Sequence, residues 1–221
     1  MSEMIQKTIK RGLYLVVDPA LELNMLLEKL KSALSGGIQV LQIWNNFRKE
    51  SDRLFIVEEI SRLCKPYSIP VLINEDWSLL LQTKDIDGVH FDCLPDDLQS
   101  IRDVIGRPII TGVTCSGNLD IVSLANKNGL DYISFCSMFP SSSAGSCSLV
   151  PSETVLQAGK LTRLPIFISG GMTPENTASL KKEIPFDGVA AISGILNAAN
   201  PRQEVEAYQI ALKQKNNYYE T

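Results

Sequence analysis

Two turns near the end of the chain carry the residue types best suited to holding an anion. The first contains Gly170 and Gly171 and is followed by Pro174, which suits the first turn of a helix. The second runs from Ile192 into Ser193. A helix N-terminus presents unpaired backbone N–H groups and the positive end of its dipole, so two of them side by side favour a phosphate group. We predict that Gly170, Gly171, Ile192 and Ser193 bind phosphate.

Each turn taken alone has an ordinary structural explanation. Paired glycines are common in tight turns, and serine is a common helix cap. However, each turn ends a short, β-branched run of the kind found in buried strands, and the two runs follow one another along the chain. Consecutive strand ends with the same backbone chemistry favour a binding site over two unrelated turns.

The composition is that of one globular domain with a sizeable core. The chain has 221 residues, of which 44% are apolar, and a formal charge of −4. Lysine and arginine form no long run, so the sequence carries no electrostatic footprint for nucleic acid or for an anionic membrane. Any anion that the protein binds must therefore be held by local contacts.

The N-terminus and the cysteines set further expectations. The first residues lack the apolar stretch of a signal peptide, and no segment reaches the roughly 18 unbroken apolar residues of a membrane span, so we expect a cytoplasmic protein. The five cysteines contain no Cys-x-x-Cys pair, which favours reduced thiols over a disulfide framework or a zinc site. They are Cys64, Cys93, Cys115, Cys136 and Cys147.

Strand-length apolar runs alternate with helix-like segments along the chain. The predicted strands are residues 13–17, 38–43, 70–74, 88–91, 108–113, 131–135, the run before Gly170 and the run that ends at Ile192. The predicted helices are residues 23–34, 50–65, 77–82, 95–105, 118–128, the segment from Pro174 and residues 202–213. Parallel strands need helical crossovers and read as continuous apolar runs, so the sequence predicts an α/β fold, a parallel eight-stranded (β/α)8 TIM barrel.

This barrel forms a single predicted domain over residues 1–221, with residues 1–10 as an N-terminal extension and 214–221 as a C-terminal tail. An open doubly wound sheet is the alternative. In a TIM barrel the active site lies at the carboxyl ends of the strands, and phosphate commonly binds after the seventh and eighth strands. The two turns fall at that position.

Polar side chains at other predicted strand ends suit a nitrogen heterocycle and a metal ion. The amides of Gln42 and Asn74 can each donate and accept hydrogen bonds, as the edge of such a ring requires. Glu75 and Asp92 are oxygen ligands that could hold Mg²⁺ against a phosphate. Thr114 adds a hydroxyl group after the fifth strand.

The only histidine, His90, also falls at a strand end and has two interpretations. It orients a ligand or transfers a proton near neutral pH, or it is a hydrogen-bonded structural residue. Cys115 follows Thr114, but no second histidine exists to activate it, so a buried thiol explains it better than a nucleophile does. The sequence leaves the role of His90 open.

A segment of small polar residues after the sixth strand interrupts the regular pattern. It includes Ser141 and Ser143 and contains neither lysine nor arginine. In a TIM barrel, a loop at this end of a strand favours a lid over the active site, with a long connection as the alternative.

Nine short motifs, in their order and spacing, make the chain resemble the thiamine-phosphate synthase family, which includes the thiazole tautomerases, over residues 13–196. No single motif is decisive, but the set is specific. In one-letter code the motifs are LYLVVD, QVLQ, LIN, DGVH, GVT, DYI, FP, ISGGM and DGVAAIS.

The resemblance implies a Mg²⁺-assisted reaction that couples hydroxymethylpyrimidine diphosphate to thiazole phosphate and releases diphosphate. Its partners are therefore small phosphorylated heterocycles. Thr114 stands where the family usually has serine, so the hydroxyl is kept. The implied substrate contacts are Gln42, Asn74 and His90 for the pyrimidine, and Gly171, Ile192 and Ser193 for the thiazole phosphate.

The chain departs from the family pattern at the positions that hold the diphosphate. Trp44 and Asn46 replace the arginine and lysine of the second-strand motif, Asp76 replaces an arginine after the third strand, and Ala144 replaces the lysine of the lid. The family's Gly-Gln-x-Asp motif is replaced by a segment that begins at Asp92. Charge-assisted contacts contribute roughly 1.5–3 kcal/mol each, so losing three or four lowers the rate by on the order of 10⁴-fold or more.

Three functions remain consistent with this pattern. The first is a thiamine-phosphate synthase-like protein with weak or altered activity. The second is a non-catalytic binder of a phosphorylated thiazole or thiamine-type ligand. The third is a thiazole tautomerase-like protein, although that relative carries a histidine where this chain has Cys115. The sequence leaves open whether the protein is an enzyme and whether it forms a homo-oligomer.

Overall fold

Eight parallel strands form a closed barrel in the computed structural model, which describes residues 7–141 and 148–214. The strands are β1 (Gly12–Val17), β2 (Val40–Ile43), β3 (Val71–Asn74), β4 (Gly88–Phe91), β5 (Ile110–Thr114), β6 (Tyr132–Cys136), β7 (Ile166–Ser169) and β8 (Gly188–Ala191). Each strand pairs with the next, and β8 pairs with β1. The predicted (β/α)8 TIM barrel is confirmed, because an open doubly wound sheet has no pairing between its first and last strands.

Helices connect the strands on the outside of the barrel. They are α1 (Leu23–Ser35), α2 (Arg53–Cys64), α3 (Leu79–Gln82), α4 (Leu98–Ile105), α5 (Leu119–Lys127), α6 (Ser152–Leu161), α7 (Pro174–Glu183), α8 (Ser193–Leu196) and α9 (Pro201–Leu212). Short 3₁₀ turns precede and follow α2. None of the helices in the described ranges is long and apolar enough to span a membrane.

The observed strands and helices differ from the predicted ones mainly at their starts, for local reasons. β2 begins at Val40 rather than residue 38, because Gln39 accepts a hydrogen bond from the N–H of Leu13 at 2.7 Å. α4 begins after Asp97 rather than at residue 95, since the Asp97 carboxylate caps it by accepting the N–H of Ser100 at 3.1 Å. Helix α6, which follows the irregular loop, was not predicted from the sequence.

The barrel separates two apolar cores. The larger one lies between the strands and the helices, and the smaller one fills the barrel interior. In the interior, the ring of Phe167 packs edge-on against Tyr14 and Tyr132, with ring centroids 5.4 and 5.5 Å away. Gly112 and Gly188 make room for these rings, because a Cβ there would lie 2.1 Å from the Tyr132 ring or 2.5 Å from the Phe167 ring.

At the amino end of the barrel, the residue before each even-numbered strand accepts an early N–H of the preceding strand. The four pairs are Gln39 with Leu13, Asp87 with Val71, Asp131 with Thr111, and Asp187 with Ile166, at 2.7–2.8 Å. Backbone N–H groups buried at a sheet end are costly without an acceptor. This role as an N–H acceptor explains the aspartate that begins both DGV motifs, directly before β4 and directly before β8.

The Asp131 contact yields a stability prediction. Thr111 is fully buried and donates both its N–H (2.7 Å) and its hydroxyl (3.1 Å) to one Asp131 oxygen. We expect Asp131→Ala to lower the free energy of unfolding by about 2–4 kcal/mol in urea titrations, because two buried donors lose their acceptor. Asp131→Asn, which keeps an oxygen, should cost about half as much or less. Equal losses in the two variants would contradict this account.

Among the described residues, Cys64, Cys93 and Cys115 form no disulfide bond. Cys147 lies outside the described residues. The predicted N-terminal extension and C-terminal tail are described only at residues 7–10 and 214.

Candidate functional site

A pocket opens at the carboxyl ends of the strands, with a cavity volume of about 380 Å³. Most of the predicted site residues line it, while Glu75 does not and Ser143 lies outside the described residues. The predicted residues that line the pocket are Gln42, Asn74, His90, Asp92, Thr114, Ser141, Gly170, Gly171, Ile192 and Ser193. The amides after β2 and β3 therefore share one cavity with the turns after β7 and β8.

The two turns present backbone donors to this cavity. Ser193 and Gly194 are the first residues of α8, so their N–H groups have no acceptor within that helix. Across residues 7–141 and 148–214, neither these two N–H groups nor that of Gly171 has a hydrogen-bond acceptor. All three residues line the pocket. The site therefore combines three unpaired donors from two neighbouring strand ends.

The turn after β7 requires glycine at two positions. Gly170 and Gly171 have φ angles of 84° and 62°, which side chains other than glycine rarely adopt. A Cβ on Gly170 would lie 1.8 Å from the Ser137 hydroxyl, and one on Gly171 would lie 2.6 Å from the Pro140 carbonyl oxygen. The loop after β6 thus packs directly against this turn.

Two further contacts hold the same turn in place. Thr173 and Asn176 form a capping box at the start of α7, and the Asn176 amide donates to the carbonyl of Gly171 at 2.9 Å. From α9, the Tyr208 hydroxyl donates to the carbonyl of Met172 at 2.6 Å. With these carbonyls occupied, the turn has a fixed orientation. The predicted helix start at Pro174 is confirmed.

A series of hydrogen-bonded side chains, which we call the interior chain, crosses the barrel interior beneath the pocket. Its members, in order, are Gln42, Tyr14, Tyr132, His90, Thr114 and Ser134. The Tyr14 hydroxyl donates to Oε1 of Gln42 at 2.5 Å and lies 2.9 Å from the Tyr132 hydroxyl. The Tyr132 hydroxyl lies 2.8 Å from Nδ1 of His90. Burial raises the pKa of both phenols above its ordinary value. Both tyrosines therefore remain neutral links.

His90 continues this chain to the far side of the pocket. Its Nε2 lies 2.9 Å from the Thr114 hydroxyl, which is 3.1 Å from the Ser134 hydroxyl. Burial lowers the pKa of His90 to about 4. A neutral imidazole with both nitrogens in hydrogen bonds favours the structural interpretation over proton transfer.

The depressed pKa of His90 predicts an acid-dependent loss of stability. Between the unfolded pKa of about 6.5 and the folded pKa of about 4, the unfolded chain binds a proton that the folded protein does not. The free energy of unfolding should therefore fall, as pH falls through this window, by roughly 1.4 kcal/mol per pH unit from this group. Urea titrations from pH 4 to 8 measure the slope. His90→Asn should have a shallower slope, and identical slopes would refute the assignment.

Whether a metal ion fits the pocket depends on the contacts of Asn74, Asp92 and Glu75. The Asn74 amide donates to the Asp92 carboxylate at 2.9 Å, and Asp92 lines the pocket. The Glu75 carboxylate instead accepts the backbone N–H of Asp92, and burial raises the pKa of Glu75. In the described ranges, no three His, Cys, Asp or Glu side chains form a metal-binding group. Since Mg²⁺ often takes one carboxylate plus substrate phosphates, Asp92 fits it and Glu75 fits less well.

Positive charge is missing from the described lining of the pocket. No lysine or arginine belongs to it, and residues 142–147 contain none in their sequence. Arg48 and Lys49 are exposed and do not line the pocket. Arg53 forms an ion pair with Asp76, the residue that replaces an arginine of the family pattern. Within the residues described, these neighbouring cations do not replace the missing ones.

Cys115 takes no part in the pocket that the described residues form. Its side chain is buried, and burial raises its pKa to about 12. It therefore supplies no base at the position where the resemblance expects a histidine for tautomerase chemistry.

Sequence reasoning missed the tyrosines of the interior chain and Ser134. The signal that locates them is the alternation of side chains along a strand. Ser134 pairs with Thr114, so Tyr132, two residues earlier, also points into the barrel. Tyr14 pairs with Val40, which lies two residues before Gln42 on β2. Tyr14, Val40 and Gln42 therefore all point into the barrel.

The fold and the pocket define a TIM-barrel protein with a small-molecule-sized site at the carboxyl ends of its strands. The thiamine monophosphate synthase family matches residues 13–195, and the chain belongs to this family.

Two curated relatives illustrate the similarity. The chain is 30% identical over 207 residues to a thiamine-phosphate synthase of Clostridium perfringens (strain 13 / Type A), covering 93% of this chain and 97% of the relative. It is 32% identical over 197 residues to a thiamine-phosphate synthase of Prochlorococcus marinus, covering 88% of this chain but 54% of that relative. The first relative therefore matches along nearly its whole length, and the second along about half.

Among solved structures, the thiamine phosphate pyrophosphorylase from Pyrococcus furiosus superposes with a TM-score of 0.79 at 22% identity, over 93% of this chain and 96% of that one. This likeness supports the fold.

Proposed function

We propose that the protein acts in thiamine biosynthesis as a thiamine-phosphate synthase homologue that binds thiazole phosphate and couples it slowly to hydroxymethylpyrimidine diphosphate. The observation that carries this proposal is one cavity that joins the backbone donors of Gly171, Ser193 and Gly194 to the amides of Gln42 and Asn74. The family match over residues 13–195 supports the choice of ligands.

The phosphate of the thiazole would bind at the turns after β7 and β8. The unpaired backbone N–H groups of these two turns favour an anion there. The fixed orientation of the turn, from the Asn176 and Tyr208 hydrogen bonds, keeps the donors in place without a phosphate. Such a site needs no lysine or arginine, in agreement with the described lining.

The pyrimidine would lie against Gln42 and Asn74. The Gln42 amide nitrogen has no acceptor among the described residues, so it is available to a ring nitrogen of the ligand. His90 would hold Tyr132 and Thr114 in position by its two hydrogen bonds rather than transfer a proton. When bound, Mg²⁺ would neutralise charge on the departing diphosphate, with Asp92 as its protein ligand.

The reaction should be slow because the diphosphate side of the pocket lacks cations. Diphosphate departs with negative charge, and pre-positioned cations are a large source of transition-state stabilisation. The lysine and arginine positions of the family are occupied by Trp44, Asn46 and Asp76. This same observation favours a second function, a non-catalytic binder of a thiazole phosphate or thiamine-type ligand. A tautomerase function has less support, since Cys115 is buried away from the pocket.

Calorimetry and a coupled turnover assay, run on the same preparation with Mg²⁺, test both functions. Binding of thiazole phosphate with slow, measurable formation of thiamine phosphate supports the proposal. Binding without any product supports the binder instead. Absence of binding by thiazole phosphate and by thiamine phosphate would reject both.

A further inference from the structure

If every hydrogen bond of the interior chain is to contain one hydrogen, its side chains can carry their protons in only two arrangements. Each phenol and each hydroxyl has one hydrogen to donate, and a neutral imidazole has one N–H. Tyr14 donates to Oε1 of Gln42, so its oxygen must accept the hydrogen of Tyr132. Tyr132 has then used its hydrogen and must accept one from Nδ1 of His90.

The same counting continues along the rest of the chain. With the hydrogen of His90 on Nδ1, Nε2 accepts from the Thr114 hydroxyl, whose oxygen accepts from Ser134. If Gln42 instead turned its NH₂ group to Tyr14, every hydrogen bond would reverse and the proton would sit on Nε2 of His90. The tautomer of His90 and the orientation of the Gln42 amide are therefore coupled.

Burial makes the reversal expensive. A complete reversal leaves the hydrogen of Ser134, which is 6% exposed, with no acceptor among the described residues. A partial reversal leaves a hydrogen of Tyr14, Tyr132 or His90 unpaired, and the two tyrosines are at most 2% exposed and His90 is 6% exposed. A buried polar group that lacks one hydrogen bond costs about 1–3 kcal/mol. A ligand that demanded the opposite face of Gln42 would therefore have to reverse the whole chain or leave a buried donor unpaired.

We propose that Tyr14 and Tyr132 are positioning residues that fix Gln42 with its NH₂ group toward the ligand, so the pocket selects a heterocycle with a hydrogen-bond acceptor at that point. In this role, Tyr14 and Tyr132 act through Gln42 and do not contact the reacting atoms. They determine which pattern of donors and acceptors the pocket accepts. The identity of the heterocycle rests on the proposed function, whereas the direction of the hydrogen bonds, from Ser134 toward Gln42, does not.

The polarity is tested on the ligand-free protein. His90 is the only histidine, so protein made without a histidine tag and labelled with ¹⁵N-histidine gives one pair of ring nitrogen signals. We expect a protonated Nδ1 and an unprotonated Nε2. Tyr132→Phe removes the acceptor of Nδ1, and the proton should then move wholly or partly to Nε2. A protonated Nε2 in the unaltered protein, or an averaged pair of signals, overturns the proposal.

The selectivity is tested with two pyrimidines, 4-amino-5-hydroxymethyl-2-methylpyrimidine and its 4-oxo counterpart, which replaces a ring acceptor with an N–H donor. By calorimetry we expect at least tenfold tighter binding of the amino compound, and a ratio below about threefold in Tyr14→Phe. Tyr67→Phe, which removes the hydroxyl of an exposed tyrosine that does not line the pocket, should keep the original ratio.

The outcomes separate this inference from the proposed function. An unchanged ratio in Tyr14→Phe overturns the positioning role even if the protein makes thiamine phosphate. If neither pyrimidine binds the unaltered protein, the selectivity proposed here fails together with the pyrimidine part of the proposed function. If Nε2 is protonated while pyrimidine selectivity and turnover are normal, the proposed direction of the hydrogen bonds and the positioning role of the tyrosines are wrong. The proposed function then stands.

Discussion

Introducing Trp44→Arg and Asn46→Lys together should raise kcat/KM for thiamine phosphate formation by about 10²–10⁴-fold. The two substitutions restore the cations that the family motif carries after β2, and Trp44 lines the pocket. Each charge-assisted contact to the diphosphate contributes roughly 1.5–3 kcal/mol, and about 1.4 kcal/mol corresponds to tenfold in rate. The measurement is steady-state turnover with both authentic substrates and Mg²⁺.

The matched control for this gain is Trp44→Gln with Asn46→Gln. It removes the same indole and keeps polar side chains of similar length, but it adds no charge. The Asn46 side chain also donates to Asp18 at 3.0 Å, and both double variants replace that donor with a longer one. A comparable gain in the glutamine control would show that space, not charge, limits the reaction. No gain in either variant would contradict the importance given to the missing cations.

The second large effect is expected at the phosphate turn, where Ser193→Asp should weaken binding of thiamine phosphate at least 100-fold. Two unit charges about 4 Å apart repel by roughly 4 kcal/mol at the effective dielectric constant of a partly buried site. The fold should survive, because an acidic residue in the first turn of a helix is favourable by about 0.3–1 kcal/mol. Calorimetry measures the affinity, and thermal unfolding checks the fold.

Ser193→Asn separates charge from shape in this experiment. It has nearly the same size as aspartate but is neutral, and it keeps a polar group at the start of α8. Its affinity for thiamine phosphate should lie within about fivefold of the unaltered protein. Equal weakening by asparagine and aspartate would mean that the side chain blocks the pocket sterically. Unchanged binding in both variants would place the phosphate elsewhere.

The barrel could be predicted from the sequence because its strands are short, apolar and regularly spaced. The turn after β7 was also predictable, since Gly170, Gly171 and Pro174 each have a specific backbone role, and the structure gives the glycines positive φ angles. Local residue chemistry determined these features. Helix α6 was missed, because its N-cap residue, Pro151, has no side chain that can cap the helix.

The contacts within the pocket depend on pairing between strands that are far apart in sequence. Nothing near His90 in the chain shows that its nitrogens meet Tyr132 and Thr114, 42 and 24 residues away. Likewise, the Glu75 carboxylate was predicted to hold a metal, but in the structure it accepts the N–H of Asp92. Its role as a metal ligand stays a prediction.

The central claim is that the turns after β7 and β8 hold a phosphate ester by backbone donors alone. A crystal structure of the protein soaked with thiamine phosphate tests it most directly. We predict phosphate oxygens within hydrogen-bond distance, about 2.7–3.2 Å, of the backbone nitrogens of Gly171 and Ser193, with no lysine or arginine side chain in contact. A phosphate bound away from both nitrogens, or held by basic side chains, would contradict the claim.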